Sequence, residues 1–162
     1  MANSSEEPAA PAETIVETGN SWLEDFLPYH LYRVTNLLND RLQGQLRRAG
    51  INPSQWRVLS VLRSGGRMSL SRVVDLTLME QPTVSKVVAQ MEQVGLVTRR
   101  VSPGDSRFVE VALTGKGLAT FEEIVPFAFR HQKTAMDGLS DQDKAALRSL
   151  LDHIARNIVL EQ

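Results

Sequence analysis

A chain of 162 residues, 42% hydrophobic and 23% charged, is long enough for one sizeable core and is ordinary for a globular protein. It has no cysteine, which removes disulfides, thiolate metal sites and thiol redox switches and suits a reducing cytoplasm. The net charge of −1 conceals an imbalance, because residues 1–26 carry six acids and no Lys or Arg, leaving +5 on the remainder.

Residues 1–20 are rich in Ala, Pro, Glu, Ser and Thr and are expected to form a disordered acidic tail, since they cannot offset their ordering entropy. No basic start and apolar stretch marks a secretory signal, and no apolar run approaches the roughly 18 residues of a membrane span. From Leu27 the period becomes helical: Leu27, Leu31, Val34, Leu38, Leu42 and Leu46 step by three and four, with Gly50 as the stop. Asn52 as N-cap, Pro53 at the first position and Gln55 three after the cap predict a second helix, with Trp56, Leu59 and Leu62 inward and Gly65-Gly66 at its end. Ser69 caps a short helix over 69–77, with Val73, Val74 and Leu76 inward. After a turn at Leu78 and Met79, a fourth helix over 81–94 buries Val84, Val87, Val88 and Met91.

Beyond Gly95 the period changes to two. Val97–Val101 and Arg107–Leu113 read as strands joined by the five-residue link Ser102–Ser106, with Val109, Val111 and Leu113 on one face. Thr114 caps a long helix to about Met136, in which Pro126 should introduce a kink. Ser140 and Asp143 resemble a capping box, opening a last helix that carries Leu147, Leu150, Leu151, Ile154 and Ile158. The predicted class is mainly α, within α+β.

Two short helices joined by about three residues match a helix-turn-helix, whose second helix enters the major groove by its N-terminal residues. Gln81, Thr83, Ser85 and Lys86 lie away from the apolar face of that helix. Gln can pair with adenine, Thr and Ser reach base edges or phosphates, and Lys with the helix N-terminus suits phosphate. The bland alternative is a solvated helix face. In the hairpin, Asp105 and Arg107 stand two residues apart, so a carboxylate could steady a guanidinium aimed at the narrow minor groove. The alternative there is a surface ion pair worth at most about 1 kcal/mol. Residues 27–62 carry five Arg against one Asp, and 63–117 carry eight basic against five acidic groups, placing the positive excess where a phosphate-contacting surface needs it.

Residues 52–118 resemble the MarR family of winged-helix regulators. The matching elements are Gln55-Trp56-Arg57-Val58-Leu59, Ser69-Leu70-Ser71, Gln81-Pro82-Thr83-Val84-Ser85-Lys86, Gly95-Leu96-Val97-Thr98-Arg99-Arg100, Asp105-x-Arg107 and Leu113-Thr114-Gly115-Lys116-Gly117. With the flanking long helices the resemblance spans roughly residues 25–160. It implies a winged helix-turn-helix over 51–117 and a helical dimerisation region over 21–50 and 118–162. It also implies a homodimer on a pseudo-palindromic site in double-stranded DNA. Contacts would come from Ser71, Arg72, Gln81, Pro82, Thr83, Ser85, Lys86 and Arg99, with Arg107 in the minor groove and Asp105 orienting it. A cytoplasmic repressor released by a small aromatic effector, such as an aromatic acid or its CoA thioester, is the function implied. The chain departs from the pattern at Leu78, where many members have Gly, and at Glu80, where Asp would cap the recognition helix. The absence of cysteine excludes the family's peroxide-sensing branch.

Tyr29, His30, Tyr32 and Arg33, with Trp56 and Arg57, could line an aromatic cavity in which Arg pairs with a carboxylate. Dimer-base packing is the competing reading. His30, His131 and His153 lack the spacing of a metal site, and no cofactor is expected. No Ser-His-Asp order, phosphate loop or recognisable carboxylate pair supports an enzyme. Two other functions compatible with the residues are a ligand-independent architectural or activating DNA binder and a winged helix used for protein contacts.

Overall fold

The computed structural model describes residues 22–102 and 105–160, with the backbone alone for 101–102, 105–108 and 160. The expected acidic tail, residues 1–20, lies outside the described residues. The described elements are α1 (Trp22–Asp25), α2 (Leu27–Arg48), α3 (Pro53–Gly65), β1 (Met68–Ser69), α4 (Leu70–Thr77), α5 (Gln81–Gln93), β2 (Val97–Ser102), β3 (Asp105–Leu113), α6 (Gly115–Ala135) and α7 (Asp141–Leu160). They fall into two compact units, residues 1–35 and 36–162. The first holds α1, a four-residue helix not expected from the sequence, and the start of α2.

Local caps explain most helix starts. Asn52 Oδ1 accepts from Gln55 N and Gln55 Oε1 accepts from Asn52 N, both at 2.9 Å, so two otherwise orphaned amides of α3 are satisfied. Ser69 Oγ accepts from Arg72 N at 3.2 Å. At α7, Ser140 Oγ accepts from Asp143 N at 3.1 Å, while the Asp143 carboxylate accepts from Ser140 N and Oγ at 3.0 and 2.6 Å. Those Ser140 donors hold the Asp143 carboxyl below its usual range. α6 runs as one helix through Pro126.

The core of the second unit joins Leu42, Leu46 and Ile51 to Val58, Leu59 and Leu62 of α3. It continues through Val73 of α4, Val84, Val87, Val88 and Met91 of α5, the strand residues Val97 and Val111, and Ile124 of α6. Trp56 stacks on Phe121 with ring centroids 5.2 Å apart, tying α3 to α6. Leu76, expected inward, is exposed, and Thr77 is buried in its place. Four residues bring Thr77 nearly back over Val73 on a helix, whereas three leave Leu76 at the margin. Burial of the hydroxyl is tolerated because Thr77 Oγ1 donates to the Val73 carbonyl at 2.7 Å.

The sheet has three antiparallel strands in the order β1-β3-β2. β1, absent from the sequence reading, pairs Met68 with Val111 and Ser69 with Glu110. Two residues carry no periodicity of their own; they are a strand only because β3 lies beside them. β3 also begins at Asp105 rather than Arg107, and Ser102 pairs with Asp105. The expected five-residue link therefore reduces to Pro103 and Gly104, which lie outside the described residues. Between the pairs Val101–Val109 and Ser102–Asp105 the register shifts, with β3 advancing four residues for one on β2.

Candidate nucleic-acid interface

α4 and α5 meet through Leu78, Met79 and Glu80. Leu78 adopts a left-handed conformation (φ 52°, ψ 35°), which explains how the short turn closes without the expected glycine. A left-handed Leu costs about 1–2 kcal/mol, and its side chain, 89% exposed, recovers little of that by packing. Leu78→Gly should leave stability unchanged or raise it by up to about 1 kcal/mol, glycine's unfolded-state entropy offsetting part of the relief. A clear fall in melting temperature would show that the Leu78 side chain has a role its exposure does not suggest.

The turn is held from beneath. Arg57 Nη1 donates to the Thr77 carbonyl at 3.2 Å, a cation at the negative end of α4. Glu80 makes no side-chain cap at the start of α5, so the first-turn amides are not closed off by that residue. Gln81, Pro82, Thr83 and Lys86 are exposed, Ser85 is half-buried, and Val84, Val87, Val88 and Met91 face the core. Ser71 and Arg72 are exposed on α4, with Arg72 Nη1 4.0 Å from Asp75.

The far end of α5 is tied to the hairpin. Glu92 accepts from the Arg99 amide at 3.0 Å and from Arg99 Nε at 2.7 Å, with Nη2 at 2.6 Å from the same carboxylate. Arg99 is thus committed to α5. The Glu92–Arg99 pairing was not foreseen: the partners lie seven residues apart across a helix-to-strand turn, and no local spacing rule links them. The side-chain hydrogen bond from Arg99, aided by its amide and charge, holds the Glu92 carboxyl below its ordinary value against partial desolvation. A depressed carboxyl pKa contributes stability above the unfolded-state pKa and loses it as pH falls through the folded one. Glu92→Gln should therefore melt below wild type at pH 7, with the gap closing as pH falls through the carboxylate range. A gap independent of pH would remove the ion pair as its cause.

Lys116 Nζ donates to the Val94 carbonyl at 2.8 Å, and Thr114 Oγ1 to the Gly95 carbonyl at 2.7 Å, while Thr114 also caps α6 by accepting from Gly117 N. The Leu113–Gly117 run is therefore a clamp on the end of α5. The side chains of Asp105 and Arg107, expected to face one way at the wing, lie outside the described residues. The backbone places Arg107 within the register shift of β3.

Of the expected cavity residues, Trp56 and Arg57 line a cavity of about 260 Å³ with Asn39, Leu42, Leu46, Pro53 and Ser60. Tyr29, His30, Tyr32 and Arg33 lie in the first unit and are exposed. There, His30 Nε2 is 2.5 Å from the Glu24 carbonyl. Among the described residues no helix is long and apolar enough to cross a membrane, and no cluster of three His, Cys, Asp or Glu side chains could hold a metal ion.

Two helices joined by a tight turn, followed by an antiparallel hairpin packed on the second, define a winged helix-turn-helix. The chain belongs to the MarR family of transcriptional regulators, whose family description matches residues 49–107. It is 27% identical over 135 residues to the HTH-type transcriptional repressor IacR of Pseudomonas putida, covering 83% of this chain and 81% of that one. Bordetella bronchiseptica BpsR, whose DNA binding is regulated by 6-hydroxynicotinic acid, shares 30% identity and a TM-score of 0.71, over 80% of this chain and 98% of its own. The transcriptional repressor CouR, solved on a 23-mer DNA duplex, shares 26% identity and a TM-score of 0.73, over 86% and 99%.

Proposed function

We propose that the protein is a homodimeric, sequence-specific repressor that is released from double-stranded DNA by a small aromatic acid. The observation that carries the reading is the division of α5. Its apolar face is fully buried while Gln81, Thr83 and Lys86 stand exposed at its N-terminal end, with Ser85 half-buried beside them. In the proposed complex those residues face the major groove, and the uncapped first turn of α5 receives a phosphate. Ser71 and Arg72 contact the backbone from α4, and Pro82 sets the start of α5. Arg107, oriented by Asp105, enters the minor groove. Arg99 acts on this surface through Glu92, fixing the wing relative to α5. That CouR, which this chain resembles, is bound to a 23-mer DNA duplex supports a DNA-binding role.

Dimerisation is supported by apolar side chains without cover. Leu147, Leu150, Leu151, Ile158 and Val159 of α7 are exposed, a row that a second copy would bury, and a two-fold dimer matches a pseudo-palindromic site. The cavity beside Trp56 supports the effector. It lies at the small end of ligand sites and suits a single ring bearing a carboxylate for Arg57, in keeping with the 6-hydroxynicotinic acid response of BpsR. A CoA thioester would have to leave its nucleotide outside.

The reading is tested by band shifts on DNA upstream of this gene and its neighbours, across a salt series and with a panel of aromatic acids. Phosphate-driven binding must weaken steeply with salt; a flat response would sink the DNA role. Lys86→Ala should weaken specific and random DNA about equally, with a salt slope shallower by about one. Loss confined to the specific site would make Lys86 a base reader. A shift that no acid relieves would favour the ligand-independent alternative.

A further inference from the structure

Arg57 belongs at once to the wall of the Trp56 cavity and to the end of α4. It lines the space formed by Asn39, Leu42, Leu46, Pro53, Trp56 and Ser60, and its Nη1 donates to the Thr77 carbonyl at 3.2 Å. We infer that Arg57 is the link through which occupancy of the cavity reaches the recognition helix. With the cavity free of an anion, the guanidinium holds the last carbonyl of α4; a carboxylate in the cavity draws it away. The inference rests on the effector-released reading and assigns its coupling residue.

The competition is unequal. The carbonyl end of a helix offers roughly half a charge spread over its last turn. A carboxylate offers a full charge on two oxygens whose spacing fits the guanidinium fork, so two parallel hydrogen bonds can replace one. Thr77 is a sensitive place to lose a donor. It is 1% exposed, its hydroxyl is already committed to Val73, and the left-handed Leu78 follows directly. Only Leu78, Met79 and Glu80 separate it from α5. A shift of the Thr77 peptide therefore passes into the start of α5, where Gln81 and Thr83 stand. Packed elements answer such a push by moving between arrangements rather than by bending.

The absence of cysteine allows a test that does not require the effector. Ser60 lines the cavity one helical turn after Arg57, and residues three apart on a helix are neighbours at about 5–6 Å between Cβ atoms. In a Ser60→Cys variant the introduced thiol is alkylated with iodoacetate, placing a carboxylate beside Arg57, or with iodoacetamide, placing its neutral near-isostere. The two adducts are compared with each other on operator DNA, so any effect of the cysteine itself cancels. Asn39→Cys, on the α2 side of the same cavity, repeats the pair if the thiol at position 60 does not react. The carboxylate adduct should bind DNA at least about fivefold more weakly than the amide adduct, the lower end of typical coupling. Adding Arg57→Gln should abolish the difference. Equal affinity of the two adducts at both positions overturns the inference, and so does a difference that persists with Arg57→Gln. If the adducts behave as expected but no free aromatic acid acts on the unmodified protein, the effector reading fails while Arg57 keeps its role.

Discussion

Gly117→Ala is expected to destabilise the protein by about 2–3 kcal/mol, within the upper range for overpacking a filled core. A Cβ at this position would stand 2.0 Å from the Leu96 carbonyl oxygen and 3.4 Å from Leu113 Cδ2. That carbonyl cannot retreat freely, because it accepts from Thr114 N at 3.1 Å and from Thr114 Oγ1 at 3.2 Å. Helix propensity alone favours Ala over Gly by about 1 kcal/mol, so the clash must exceed that gain. At roughly 2–4 °C per kcal/mol for a chain of this size, melting should fall by about 5–10 °C. Gly115→Ala is the control, since nothing lies within 4 Å of a Cβ there. An unchanged melting temperature for Gly117→Ala would refute the close approach of α6 to Leu96.

Arg107→Ala should weaken operator binding by about 10- to 100-fold, the cost of about 1–3 kcal/mol for losing one good groove contact. Dimer mass and melting temperature should stay nearly unchanged, because surface substitutions away from packed features shift stability by about 0.5 kcal/mol or less. Arg107 lies in the stretch of β3 between the pairs Val101–Val109 and Ser102–Asp105, where pairing with β2 is irregular. Titration of labelled operator with the variant, beside a calorimetric melt, separates the two effects. Full affinity would remove Arg107 from the interface; a large fall in melting temperature would make it a structural residue of the wing.

Features that depend on residues three or four apart were legible in the sequence. The Asn52–Gln55 and Ser140–Asp143 boxes, the Ser69 and Thr114 caps and the buried face of α5 all appear where the spacing places them. The missed features join segments distant along the chain. β1 exists through pairing with β3, Glu92 meets Arg99 across a turn, Lys116 caps a helix 22 residues upstream, and Arg57 reaches Thr77. Leu76 and Thr77 mark the border, because both satisfy a loose helical period and only the packing of α4 on its neighbours decides which is buried.

The sequence by itself determined the six longer helices, the caps at Asn52, Ser69, Thr114 and Ser140 and the polar edge of α5, because capping and amphipathicity are settled by covalent spacing and by the partition of side chains between water and core. Only the tertiary structure decided what those elements are joined to. Arg99 is drawn onto Glu92, the clamp closes over Leu96, and Arg57 stands between the cavity and the turn. Such contacts depend on where separate elements come to rest against one another, and a hydrogen bond of about 3 Å between distant residues leaves no periodic trace in the chain.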